Sequence, residues 1–127
     1  MTLDLATLAP CLRGAPDDIG ATLDGLSHEA ARVMSPAGLR TWAEGAQALC
    51  KLGRGFDPVM AWLENMPAVA REVGEDVLSD TLGAAMKLSS MTSGEVIALM
   101  FASLPTAARR LGDAELLRGY LTFLHQL

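Results

Sequence analysis

The chain has 127 residues, half of them apolar, and a formal charge of −5 from ten basic and fifteen acidic side chains. One domain of this length buries roughly two-thirds of its unfolded surface, and the apolar half is ample for that core. With only Lys51 and Lys87 beside eight arginines and no basic block, the chain lacks the phosphate-neutralising footprint of a nucleic-acid binder, and no apolar run is long enough for a membrane span.

Helical signals run from end to end. Apolar spacing and capping residues predict seven helices over about 3–12, 17–33, 36–52, 57–73, 76–90, 94–111 and 114–127, an all-α chain. The opening Met1–Leu5 lacks the basic and long apolar regions of a secretion signal. Cys11 and Cys50 could pair, but on apolar stretches they read as buried thiols of a reducing compartment, and the expected location is cytoplasmic. Ser35-Pro36 and Asp57-Pro58 each set a capping oxygen before a proline, the preferred start of a helix. Gly53-Arg54-Gly55, Gly74 and Gly112 fall where a left-handed cap ends one. Asp76, Asp113 and either Thr92 or Ser93 are placed to cap the helices that follow. In the sixth helix Val96, Ile97, Met100, Phe101, Leu104, Ala108 and Leu111 form one apolar stripe, and the fourth repeats it from Val59 to Val73. The last keeps helical spacing through Leu117, Tyr120, Leu121, Leu124 and Leu127 without a closing cap, so a fragment of a longer protein, its N-terminal part, is expected, with a repeat edge covered by a partner as the alternative.

The chain repeats itself. Met66-Pro67-Ala68-Val69-Ala70-Arg71-Glu72-Val73-Gly74-Glu75 returns thirty-eight positions later as Leu104-Pro105-Thr106-Ala107-Ala108-Arg109-Arg110-Leu111-Gly112-Asp113. Without a gap, Gly45–Leu78 lies over Gly83–Leu116, and a fainter copy ends at Arg32. Pro67 and Pro105 share one phase, where a proline forces a bend. Repeats of this period are the mark of stacked helix pairs, which usually hold other molecules. The expected architecture is a HEAT-like α-solenoid of antiparallel pairs, a single domain over 1–127 with units at roughly 17–53, 57–90 and 94–127.

Catalytic chemistry finds little footing. His28 and His125 stand near opposite ends, and no ligand spacing for zinc occurs, so no metal or other cofactor is expected. Ser89-Ser90 and Thr92-Ser93 flank a helix junction, where hydroxyls serve as caps, outside any nucleophile elbow. The carboxylate pairs Asp17-Asp18 and Glu75-Asp76 stand at helix starts, where negative charge offsets the dipole. Met60, Met66, Met86, Met91 and Met100 read as core filling, with a groove for a partner helix as the sharper alternative if several are exposed together. The best residue-level lead is arginine: Arg32, Arg71 and Arg109 share a repeat phase near helix ends, with Arg110 beside the last. They interact with the carbonyls or acidic groups nearby, or form a ladder that reaches acidic groups on a partner.

The stretch Met66–Val77, the run Met86-Lys87-Leu88-Ser89-Ser90-Met91-Thr92-Ser93-Gly94 and the segment Leu104–Leu116 resemble the N-terminal helical region of NorD/CbbO-type proteins, which carry a von Willebrand factor A domain at their C-terminal end. Ser35-Pro36-x-Gly38-Leu39 and Leu52-Gly53-Arg54-Gly55 fit the same pattern. The resemblance implies a partner, a MoxR-type AAA+ ATPase, with the pair acting as a chaperone-like activator of a metalloenzyme or of Rubisco. That family's metal site, an Asp-x-Ser-x-Ser pattern, belongs to the von Willebrand domain and has no counterpart in this sequence. The expectation is a non-catalytic adaptor that couples the ATPase to a target enzyme, with ATP hydrolysis belonging to the partner. The alternatives are a helical ligand-binding or small enzymatic bundle, favoured by an enclosed pocket with convergent polar groups, and a homo-oligomerisation domain.

Overall fold

The computed structural model describes residues 8–12, 15 and 17–124, and among them the chain is helical without a strand. A short 3-10 helix, Ala9–Cys11, precedes six α-helices: α1 Ile19–Val33, α2 Pro36–Lys51, α3 Asp57–Val73, α4 Val77–Leu88, α5 Gly94–Leu111 and α6 Ala114–Leu124. Six of the seven expected helices are thus present. The first, about 3–12, lies largely outside the described residues, as do His125 and the end of the last helix.

Local chemistry sets most boundaries. Ser35 and Ser93 accept the amides of Gly38 and Val96 at 3.2 and 3.4 Å and start α2 and α5. Asp113 accepts from Glu115 and Leu116 at 2.7 and 3.2 Å and starts α6. Gly74 and Gly112, at φ 96° and 63°, close α3 and α5 by turning the chain into a region that side chains with a Cβ resist. Two expected caps are corrected. Asp57 lies inside α3 after Phe56, and Asp76, just before α4, makes no side-chain cap hydrogen bond, so neither carboxylate caps its own helix.

Alternate helices pack side by side. α1 lies against α3, and α3 lies more extensively against α5; α2 lies against α4, and α4 against α6. α2 crosses onto α3, and α5 touches α6. The rings of Trp62 on α3 and Phe101 on α5 meet edge to face at 5.5 Å.

Two tryptophans tie α2 to α3 in the core. Trp42 and Trp62 are fully enclosed, and each indole finds an acceptor: Trp42 donates to the Leu63 carbonyl at 3.3 Å, Trp62 to the Trp42 carbonyl at 2.8 Å. A buried indole N–H without such a partner is costly. The Trp62 ring lies directly on Gly45, where a Cβ would overlap it. The repeat-equivalent Gly83 is exposed and meets nothing. The shared glycine therefore has a packing reason in one copy only. Buried Ser27, Thr81 and Ser89 return their hydroxyls to carbonyls of their own helices, and among the described residues no buried side-chain N or O lacks a partner.

Three long-range contacts pin the frame. Glu75, beyond Gly74, accepts the Ser35 amide at 2.9 Å and the Ser35 hydroxyl, so it completes the cap of α2 rather than of its own helix. Arg54, in the α2–α3 loop, donates to the Ser89 carbonyl at the end of α4. Arg118 on α6 pairs with Asp80 on α4 at 2.8 Å. The cysteines also depart from expectation: Cys11 and Cys50 are joined in a disulfide with Cα atoms 5.5 Å apart, not separate thiols, tying the 3-10 helix to the last turn of α2. No helix among the described residues is long and apolar enough to cross a membrane.

Candidate interaction surface

Ile97, Met100, Phe101, Leu104 and Ala108 of α5 are buried, as their helical spacing requires. Two neighbours are not. Val96, assigned by its spacing to the same stripe, is 46% exposed, and Leu99 is 69% exposed. Val96, Leu99 and Ser103 recur at intervals of three and four, so they share a second face of the helix. That face forms one wall of a groove of about 520 Å³ whose floor and far side are Leu88, Met91, Met100 and Tyr120. Of the five methionines singled out in the sequence only Met91 is exposed, at 62%; Met66 and Met100 are buried and Met60 and Met86 half-buried, so several are not exposed together. Thr92, Ser103 and Tyr120 supply the groove's hydroxyls, and Ser103 spends its proton on the Met100 carbonyl at 2.7 Å.

The groove is rigidly framed. The Arg54 carbonyl approaches Gly94 so closely that no Cβ would fit between them, which fixes the N-terminus of α5 against the α2–α3 loop. A second groove lies on the other side of Leu99, between α3 and α5, and it is acidic, with Asp57, Glu64 and Glu95 in its lining. On α6, Leu116 and Phe123 are 56% and 58% exposed, two turns apart on one face. Met91, Val96, Leu99, Leu116 and Phe123 are all of the large exposed apolar side chains among the described residues. Four lie on α5 and α6, and Met91 lies in the loop before them. Met91, Val96 and Leu99 line one groove, and exposed apolar surface gathered in this way on a folded chain marks a contact site.

The arginines lie elsewhere. Arg32, Arg71, Arg109 and Arg110 occupy the last turns of α1, α3 and α5, one edge of the layer those helices form. All four are exposed. Arg32 pairs with Glu29 at 3.6 Å on the surface, while Arg71, Arg109 and Arg110 make no ion pair among the described residues. Arg109 stands thirteen residues beyond Val96, about 20 Å along α5, so the arginine edge and the groove are separate places. Arg71 borders a smaller hollow between α1 and α3 with Glu29, Val33 and Pro67.

Other candidate chemistry resolves into structure. Ser89 is buried and bonded to the Met86 carbonyl at 2.6 Å. Asp17 and Asp18 are exposed before α1. Glu75 is committed to Ser35, whose hydroxyl and amide hold its carboxyl below the usual range. Among the described residues no three His, Cys, Asp or Glu side chains converge as a metal site. Leu99, Leu116 and Phe123 were legible in one respect: each is a large apolar residue lying off its helix's core stripe. Compared with known proteins, the chain matches no family model, no curated protein and no solved structure.

Proposed function

We propose that the chain is a non-catalytic protein-interaction domain, a HEAT-like stack of antiparallel helix pairs over a single domain, whose last pair receives another protein. The observation that carries this reading is that the large exposed apolar side chains among the described residues, Met91, Val96, Leu99, Leu116 and Phe123, all lie on the last helix pair or in the loop that leads into it. The groove beside α5 lies open along the helix flank, a shape suited to a polypeptide rather than to an enclosed small molecule. The partner proposed is a MoxR-type AAA+ ATPase or the enzyme it activates, with this chain coupling the two. That identity rests on the resemblance of Met66–Val77, Met86–Gly94 and Leu104–Leu116 to NorD/CbbO-type proteins. Arg32, Arg71, Arg109 and Arg110 are the residues proposed to meet acidic groups on the larger partner.

A cytoplasmic location follows from an ATP-driven partner alone. The Cys11–Cys50 bond removes the argument from free thiols. The test is co-purification of the chain with a MoxR-type ATPase and an assay of ATP turnover in any complex. Stable association with altered turnover is expected. Absence of association, with both proteins folded, overturns the choice of partner.

A further inference from the structure

We infer that Cys11 and Cys50 form a reversible redox latch. Oxidised, the pair locks the segment Leu8–Leu12 onto the end of α2; reduced, it frees that segment to open while the helical body stays folded. The latch needs neither the groove nor the arginines and stands whatever the partner is.

The Leu8 carbonyl is the first ground for it. Its oxygen lies 3.1 Å from the Cys11 sulfur and 3.7 Å from the Cys50 sulfur. A disulfide has no proton to offer that oxygen, whereas two thiols do, and each finds an acceptor within reach where it stands. The same backbone therefore serves both oxidation states, and reduction leaves no buried S–H without a partner. The second ground is how the segment is held. The 3-10 helix packs chiefly on α2; Leu8 is fully enclosed, Leu12 is half-buried and Pro10 is exposed. Without the bond, what holds the segment reduces to one buried leucine, part of another and two weak thiol hydrogen bonds.

The body does not depend on the bond. Ser35 and Glu75 fix the start of α2, the indoles of Trp42 and Trp62 tie its middle to α3, and Arg54, just past its end, is bonded to the Ser89 carbonyl. None of these links passes through Leu8 or Cys11, so opening the latch acts locally.

The reaction is thiol–disulfide exchange with a dithiol reductant. One reductant thiolate attacks a sulfur of the pair, the S–S bond breaks, and the other cysteine leaves as a thiolate that takes up a proton. The second reductant thiolate then displaces the first cysteine, which is protonated in turn. The chain gains two electrons and two protons, and the reductant ends as its own cyclic disulfide. Cys11 and Cys50 are only 8% and 4% exposed, so attack waits on a local lifting of the segment. In the reducing compartment proposed above, disulfides are rare and those that occur are usually transient and redox-sensing.

The test treats the whole native chain with dithiothreitol, then replaces it with oxidised glutathione. Thiols are counted by maleimide labelling and mass, helix content is followed by circular dichroism, and local opening by hydrogen exchange. Two thiols and retained helix content are expected on reduction, with exchange in Leu8–Leu12 faster by at least about tenfold. Exchange in α3 and α5 stays as it was, and reoxidation restores the bond and the slow exchange. Cys50→Ser is expected to show the fast exchange with or without dithiothreitol. Loss of helix content on reduction overturns the inference, because the bond is then structural. So does unchanged exchange in Leu8–Leu12 after reduction or in Cys50→Ser, and so does failure of the bond to re-form.

Discussion

α3 and α5 are built on one pattern and live in different surroundings. Trp62 at the centre of α3 is sealed on one side by α2 and on the other by Phe101 of α5. Its counterpart Met100 is reached from one side and opens onto a groove from the other. Charge divides the chain in the same way. From residue 91 onward Arg109, Arg110 and Arg118 balance Glu95, Asp113 and Glu115, so the whole excess of negative charge lies in the first ninety residues. A repeat unit cannot bury its apolar face alone. The two helices thus differ in what covers them: Pro58 and Trp62 on α3 are buried, whereas Val96 and Leu99 on α5 are exposed.

Substitutions at matched positions break or sharpen that contrast. Trp62→Ala removes a side chain enclosed on all sides and is expected to cost about 3–5 kcal/mol in urea unfolding, whereas Leu99→Ala, on the open flank, shifts stability by under about 0.5 kcal/mol. A comparable cost at both positions would mean that Leu99 is covered in solution.

The disulfide belongs to the early, closed end of the molecule. Closing a sequence separation of 39 residues, it is expected to contribute about 2–4 kcal/mol. Cys11→Ser, or reduction of the native chain, should lower the thermal midpoint accordingly, with non-reducing mass analysis confirming the bond. Two free thiols in native, non-reduced protein would remove it.

Gly45 and Gly83 are the same repeat position in opposite settings. Gly45→Ala drives a methyl into the Trp62 ring and is expected to destabilise by about 1–3 kcal/mol. Gly83→Ala, exposed within α4 with nothing nearby, is expected to stabilise by about 0.5–1 kcal/mol through helix propensity. Equal effects would show that the α2–α3 crossing is looser than described.

The smallest effect concerns the Glu75–Ser35 cap, expected to contribute about 1 kcal/mol. Its folded value lies below the ordinary 4.5, so its stabilisation is complete above that pH and is lost as pH falls through the folded value. Glu75→Gln should lower stability at neutral pH and flatten the acid limb of the stability profile. An unchanged acid limb would mean that the carboxylate does not hold Ser35.

What the sequence makes legible follows from distance along the chain. Ser35, Ser93, Asp113, Gly74 and Gly112 act within three or four residues of themselves, and their roles can be read locally. The Glu75 carboxylate was expected at a helix start and does stand at one, but it serves Ser35, forty positions away, a choice no local pattern encodes. The same holds for Cys11 with Cys50 and for Arg54 with Ser89. Val96 misleads because spacing fixes which face a residue shares and not whether a neighbour covers that face. The repeat itself supplies the missing comparison, since Pro58 is covered and Val96 is not.

The Cys11–Cys50 bond has a mechanical consequence. It closes α1 and nearly all of α2 into a covalent ring, so tension applied at Cys11 passes straight to the last turn of α2 and leaves α1 slack. A polypeptide drawn through a narrow channel from that end would enter as a doubled strand until the ring had passed or been opened by a reductant. While that bond stands, α1 and α2 cannot be drawn out into a single extended strand.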